Sequence, residues 1–269
     1  MFQTLTQLKE MDMYPSLWFQ LSPIQAQNYF TTLVEEIEKQ EHERYPNYRD
    51  DLEKKWDQYR QQLKEEEKIQ QQAYQEQLNS SNQDGSRRGN NDCSGNHKDF
   101  WKVRDAYMIS QPPPLDSPHP NMVYSVRGCP IPSEDIENLM FKMERELNLK
   151  HPDKHPLIRG LRRGIGLYIK FLPLAYLQLV QRMAQDGLLG VVISDAALAF
   201  GVNMPFRSVV FCGDHKDLTP LMAQQMAGRA GRRGMDKEGH LVYLGLSENK
   251  IQEPLFMLKE TSQGKFIND

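Results

Sequence analysis

The 269-residue chain is 39% hydrophobic with a formal net charge of -3. That is enough apolar content for one good core with a second region beside it, and the near-neutral total says little about partners because it can hide a local basic patch. Its mean hydropathy of -0.69 is low for a packed globule, so some of the length is expected to be solvated segment.

From residue 2 to about 40, an amphipathic stretch (Leu5, Leu8, Met11) leads into PSLWFQLSP, an apolar run between turn residues that reads as a buried strand. AQNYFTTLVEEIEKQ then places Phe30, Leu33, Val34 and Ile37 at helical spacing, so the chain opens with an α/β unit. Over residues 41–121 the character changes. EHERYPNYRDDLEKKWDQYRQQLKEEEKIQQQAYQEQL carries Leu52, Trp56, Tyr59 and Leu63 at steps of four, three and four, which predicts a long solvated helix, with half of a short coiled coil as the alternative. NSSNQDGSRRGNNDCSGN is nearly free of apolar residues and is expected to be disordered, and PPPLDSPHPN is an extended spacer. Residues 41–121 therefore read as an insertion, because the α/β pattern resumes after them.

Beyond it, SEDIENLMFKMEREL predicts a helix with Glu134 and Asp135 at its positive end, and LAYLQLVQRMAQDG a helix that stops at Gly187. LGVVIS, RSVVFCGD and HLVYLGLS read as strands, DAALAFG as a short helix and LTPLMAQQMAGRAG as a longer one. The alternation predicts a parallel sheet with helices on its faces. Apolar runs fall short of the roughly 20 residues that span a bilayer, so a soluble protein without a membrane partner is expected. Cys93, Cys129 and Cys212 stand far apart, with no CxxC pair and no signal-peptide pattern near Met1. An intracellular setting follows, the cytoplasm by default and the nucleus also open.

Two segments have the makings of chemistry. In QQMAGRAGRRG, a helix begun by Thr219 and Pro220 sends Leu221, Met222 and Met226 toward a core, and Gln225, Arg229 and Arg232, spaced by four and three, share a face. Gly228, Gly231 and Gly234 leave room for a ligand or another backbone, and two guanidiniums on one face suit a terminal phosphate. The alternative is an Arg/Gly run that binds nucleic acid loosely or solvates the surface. In VVISDAALAFGVNMPF a strand ends at Ser194, Asp195 caps a short helix, and Gly201 ends it, a turn of the kind that receives phosphates.

The order of these segments, with PSLWFQLS first, then GVNMP, then QMAGRAGRRG about twenty residues on, resembles the second RecA-like lobe of superfamily 2 helicases. RRGIG followed by a helix and GVNMP is similar to the Ski2-like branch and, within it, to the antiviral DExD/H-box helicase group. The resemblance covers about residues 5–40 and 156–255. It implies a RecA-like parallel sheet flanked by helices and interrupted by the insertion, with residues 1–40 and 122–269 forming the lobe. It further implies that Gln225, Arg229 and Arg232 face ATP on the other lobe, the arginines as fingers on its γ-phosphate, with Gly228 clearing space. Gly201 and Asn203 fall on the family's G-x-N element, which links nucleotide to the nucleic-acid track. The strand around Leu17, Trp18 and Phe19 matches its fourth motif.

Tyr168 and Ile169 stand where the family has two histidines, and Asp195 and Ala197 where it has threonine. The Asp195 carboxylate either repels a phosphate or caps the helix. No GxxxxGK[ST] loop and no DExH pair occurs in the sequence. The expectation is a second lobe only, whose Mg²⁺-bound ATP sits on a first lobe supplied in cis or in trans and whose substrate is single-stranded RNA or DNA. Alone it is expected not to hydrolyse ATP. The competing expectation is a non-catalytic RNA- or partner-binding module derived from such a lobe.

Overall fold

The structure, a computed structural model, describes residues 1–83, 112–126, 133–147, 150–199, 204, 206–213, 218–232, 234 and 236–245. They divide into two units, residues 1–44 with 118–269, and residues 45–117.

The larger unit is an α/β layer structure built on a RecA-like parallel sheet. Its strands are β1 (Ser16–Phe19), β2 (Ile165–Tyr168), β3 (Val191–Ser194), β4 (Ser208–Cys212) and β5 (His240–Leu244). They run in the order β2-β3-β1-β4-β5, and every neighbouring pair is parallel. The first strand in sequence thus sits in the centre, with Trp18 opposite both Ile193 and Val210. That place explains its composition. A strand covered on both faces needs side chains that tolerate burial on either, and all four of its residues are buried. The indole of fully buried Trp18 donates to Ser16 Oγ at 3.0 Å, so its one polar atom is satisfied.

The flanking helices are α1 (Phe2–Glu10), α2 (Pro23–Arg44), α4 (Ser133–Leu147), α5 (Pro156–Arg162), α6 (Leu174–Gln185) and α7 (Pro220–Ala227). In α1, Leu5 and Leu8 are buried whereas Met11, just past its end, is exposed. Helix α2 buries Phe30, Leu33, Val34 and Ile37, the four residues the spacing picks out. Helix α6 stops before Gly187, whose φ of 71° is left-handed; Gly187 N donates to Ala184 O and Leu188 N to Met183 O, which closes the helix end. Helix α5 and strand β2 have no counterpart in the sequence reading. IGLY is too short an apolar run to stand out, yet Ile165 and Leu167 are fully buried and Leu167 N donates to the buried Tyr176 hydroxyl.

The smaller unit holds α3 (Tyr48–Gln83), 36 residues long. The helix runs five residues beyond the expected end at Leu78, through Asn79–Gln83; the rest of the low-complexity stretch lies outside the described residues. Along its stripe, Leu52 is buried, Trp56 and Tyr59 are half-buried and Leu63 is exposed. Trp56 Nε1 donates to Pro113 O at 2.8 Å, and the Trp56 and Tyr59 rings meet edge to face.

Candidate functional site

Ligands of open parallel sheets bind outside the carboxyl ends of the strands, and here those ends are tied together by side chains. Ser194 Oγ, at the end of β3, donates to Tyr168 O at the end of β2. Gln20, just past β1, donates from its backbone N to Ser194 O and from Nε2 to Cys212 O at the end of β4. Asp195 follows β3 and is buried. Its Oδ1 accepts from Ala197 N at 2.8 Å and its Oδ2 from Lys170 N at 3.2 Å. The carboxylate therefore caps the 3-10 turn Ala196–Ala199 and pins the loop after β2. Of the two roles open to Asp195, capping is the one the geometry supports, with each oxygen taken by a backbone donor. Half-buried Tyr168 stands nearby; burial first, and the Asp195 carboxylate second, push its phenol up from the usual tyrosine range.

Helix α7 begins as expected, with Met222 N donating to Thr219 Oγ1 and Pro220 at its first position. Met226 is fully buried, but Leu221 is exposed rather than core-facing. The helix then ends at Ala227, so Gln225, Arg229 and Arg232 do not share a helical face. The chain leaves the helix because Ala230 enters a parallel bridge with Phe206, ahead of β4. Gly231 takes a φ of 90°. A Cβ on Gly239 would lie 2.6 Å from Ala230 C and O, so that glycine is what lets the two backbones meet.

Exposed Gln225 stays in the last turn of α7. Arg229 donates from Nε and Nη2 to Ala199 O, at 3.2 and 2.7 Å, and so fastens the end of α7 to the 3-10 turn. Arg232 grips Asp236 side-on, Nε to Oδ2 and Nη2 to Oδ1, both at 2.7 Å, while its backbone N donates to Oδ2 at 2.9 Å. Hydrogen bonding from Arg232 is the first reason the Asp236 carboxyl is held below the usual range, and the same pair raises the Arg232 guanidinium further. Gly228, with φ −63° and ψ −5°, has a backbone open to any residue and only ordinary contacts for a Cβ. Gly201 and Asn203 lie outside the described residues.

Gln20 and Asp236 are absent from the sequence reading. A lone polar residue ending an apolar strand marks Gln20, and the four-residue step from Arg232 marks Asp236. Among the described residues, no group of three or more His, Cys, Asp or Glu is placed to hold a metal ion, and no helix is long and apolar enough to cross a membrane.

No family model matches the chain. It is similar to an uncharacterized helicase of Caenorhabditis elegans, 36% identical over 108 residues that make up 40% of this chain and 6% of the relative. It is likewise similar to the DExH-box ATP-dependent RNA helicase DExH15 of Arabidopsis thaliana, 36% identical over 140 residues, 45% of this chain and 12% of the relative. Superkiller complex protein 2 of Mus musculus is 40% identical over 91 residues, 31% of this chain and 7% of that protein. The first two of these relatives are helicases by name. The chain thus spans a small part of each, between 6% and 12%. What the arrangement offers chemically is a pair of guanidiniums just past α7, Arg229 held on Ala199 O and Arg232 held on Asp236, the latter near Arg207 and Asp12 ahead of β4 and β1.

Proposed function

We propose that this chain is the second RecA-like lobe of an ATP-dependent nucleic-acid helicase, Ski2-like and nearest the antiviral DExD/H-box group, acting on RNA in the first instance. Residues 1–40 and 122–269 form the lobe and residues 41–121 an insertion in it. The observation that carries the reading is the fixed placement of both guanidiniums, Arg229 on Ala199 O and Arg232 on Asp236, in a chain similar to helicases. Bound ATP on a first lobe would supply the γ-phosphoryl group and its Mg²⁺. Arg229 and Arg232 would stabilise the charge that develops there, which guanidiniums do through fixed donors and a permanent charge. Gln225 would contact the same nucleotide from the end of α7, with Gly228 clearing its approach. The backbone around Gly201 and Asn203 would couple nucleotide to the strand, and the grip of Arg229 on Ala199 O gives that coupling a physical route.

Joined to the first lobe of a relative, the chain is expected to give RNA-stimulated ATPase that Arg232→Ala lowers by roughly 10³–10⁵ in rate. ATPase unchanged by that substitution refutes the finger assignment. The second reading, a non-catalytic RNA-binding module, draws on Asp195, which stands where the family has threonine and whose carboxylate is committed to Lys170 N and Ala197 N. On that reading the chain alone binds RNA with steep salt dependence and the joined protein hydrolyses no ATP.

A further inference from the structure

Arg229 donates to a backbone carbonyl, Ala199 O, and Arg232 rests on a carboxylate that is almost fully enclosed, its side chain 5% exposed. The contact is reciprocal: Asp236 N donates back to Arg232 O at 3.0 Å. A second guanidinium stands near Asp236 as well. Arg207 Nε lies 3.9 Å from Oδ1, and Arg207 Nη1 is bonded to Asp12, whose side chain is 84% exposed. Two guanidiniums and two carboxylates thus form one cluster, with the enclosed Asp236 carboxylate between Arg232 and Arg207.

We propose that Asp236 is the positioning residue for Arg232: it holds one edge of the guanidinium so that the other is presented to the nucleotide. The claim rests on the finger reading above and adds to it a residue that touches no substrate. A guanidinium has five N–H donors in a rigid fork. Asp236 occupies the Nε and Nη2 edge, and the Nη1 end points away from the edge it holds. Fixing one edge removes the side-chain rotations that an arginine would otherwise lose when it meets a phosphate, and such preorganisation acts on turnover more than on substrate binding. Gly239 against Ala230 and the left-handed Gly231 fix the backbone on which this side chain is carried.

The first test uses this chain alone. The Arg232 Nε–H, assigned by its loss in Arg232→Lys, is expected to exchange slowly with solvent in the wild type and in Asp236→Glu, and quickly in Asp236→Asn. Slow exchange in Asp236→Asn overturns the proposal.

The second test uses the joined two-lobe protein. Asp236→Asn is expected to lower kcat about tenfold or more with KM for ATP little changed, and Asp236→Glu to restore part of the loss. In an Arg232→Ala background, Asp236→Asn is expected to cost nothing further, because the two residues act as a unit. A purely structural Asp236 would lower kcat equally in both backgrounds, and that result overturns the proposal. If Arg232→Ala abolishes turnover while Asp236→Asn leaves it intact, the proposal alone fails. If Arg232→Ala changes nothing, the finger reading fails and takes this proposal with it.

Discussion

Gln20 Nε2 donates to Cys212 O at 3.1 Å across 192 residues of sequence. The same side chain accepts from Ser22 N through Oε1, and the Gln20 backbone N bonds Ser194 O. One buried residue, through its side chain and its backbone N, therefore ties the carboxyl ends of β3, β1 and β4. Gln20→Leu removes a donor and an acceptor while keeping the bulk, and leaves their partners short of one bond each. The expected cost is about 1–3 kcal/mol. In urea the midpoint is expected to fall with the slope unchanged; an unchanged midpoint means water replaces the amide at no cost.

Gly228 and Gly239 separate two uses of glycine in the same region. A Cβ on Gly239 strikes the Ala230 backbone at 2.6 Å, whereas one on Gly228 meets nothing nearer than Gln224 O at 3.4 Å. Gly239→Ala is expected to destabilise by roughly 1–3 kcal/mol, measured by thermal or urea unfolding. Gly228→Ala is expected to leave stability equal or raised by about 0.4–1 kcal/mol, because its backbone suits alanine. If Gly228→Ala nonetheless abolishes ATPase in the joined protein, the space it keeps clear belongs to a ligand.

These two glycines also mark what was legible in the sequence. Periodicity located α2 and α6, and apolar runs located four of the five described strands, because Phe30, Leu33, Val34 and Ile37, or the VVI of β3, meet the core. It also carried the helix of QQMAGRAGRRG too far. Composition says that a Gly-rich run admits close approach; it does not say whether the visitor is a phosphate or, as at Gly239, another part of the chain. The Ala230–Phe206 bridge that stops the helix joins residues far apart in sequence, and a local pattern holds no trace of it. Strand β2 escaped notice for a related reason. Its four residues gain their meaning from pairing with β3.

Asp236 gives the stability of the chain a defined pH dependence. Its folded-state pKa is lowered, chiefly by the hydrogen bonds from Arg232, so the folded state favours the ionised carboxylate more than the unfolded state does. That contribution is fully present above the unfolded value, near ~3.9 for an aspartate. It is lost as pH falls through the lower folded value. Asp236→Asn removes the titration. The stability difference between wild type and Asp236→Asn, measured by urea unfolding across pH, is therefore expected to be level above about pH 5 and to shrink below about pH 4. A difference that stays constant into acid contradicts the lowered pKa.

Glu41 tests where the core of the larger unit ends along α2. Sequence composition turns polar at this residue, yet the helix continues to Arg44. Glu41 pairs through Oε2 with Arg163, whose side chain is only 6% exposed, and accepts from His119 N through Oε1. Arg163 O in turn accepts from Tyr124 N. Removing the carboxylate strands a buried guanidinium, with Glu38 Oε1 left as its remaining carboxylate partner at 3.9 Å. Breaking one side of such a pair costs about 3–5 kcal/mol when nothing compensates, and Glu38 offsets part of it, so Glu41→Ala is expected to cost about 2–4 kcal/mol. Lys39→Ala, two residues away, breaks a contact to Glu43 in which the side chains are 75% and 52% exposed. Exposed pairs of this spacing contribute about 0.5 kcal/mol or less, and the Lys39 variant is expected to unfold with the wild type. Urea unfolding of both variants decides the matter: equal, small effects would place Glu41 in solvent and leave Arg163 with other partners.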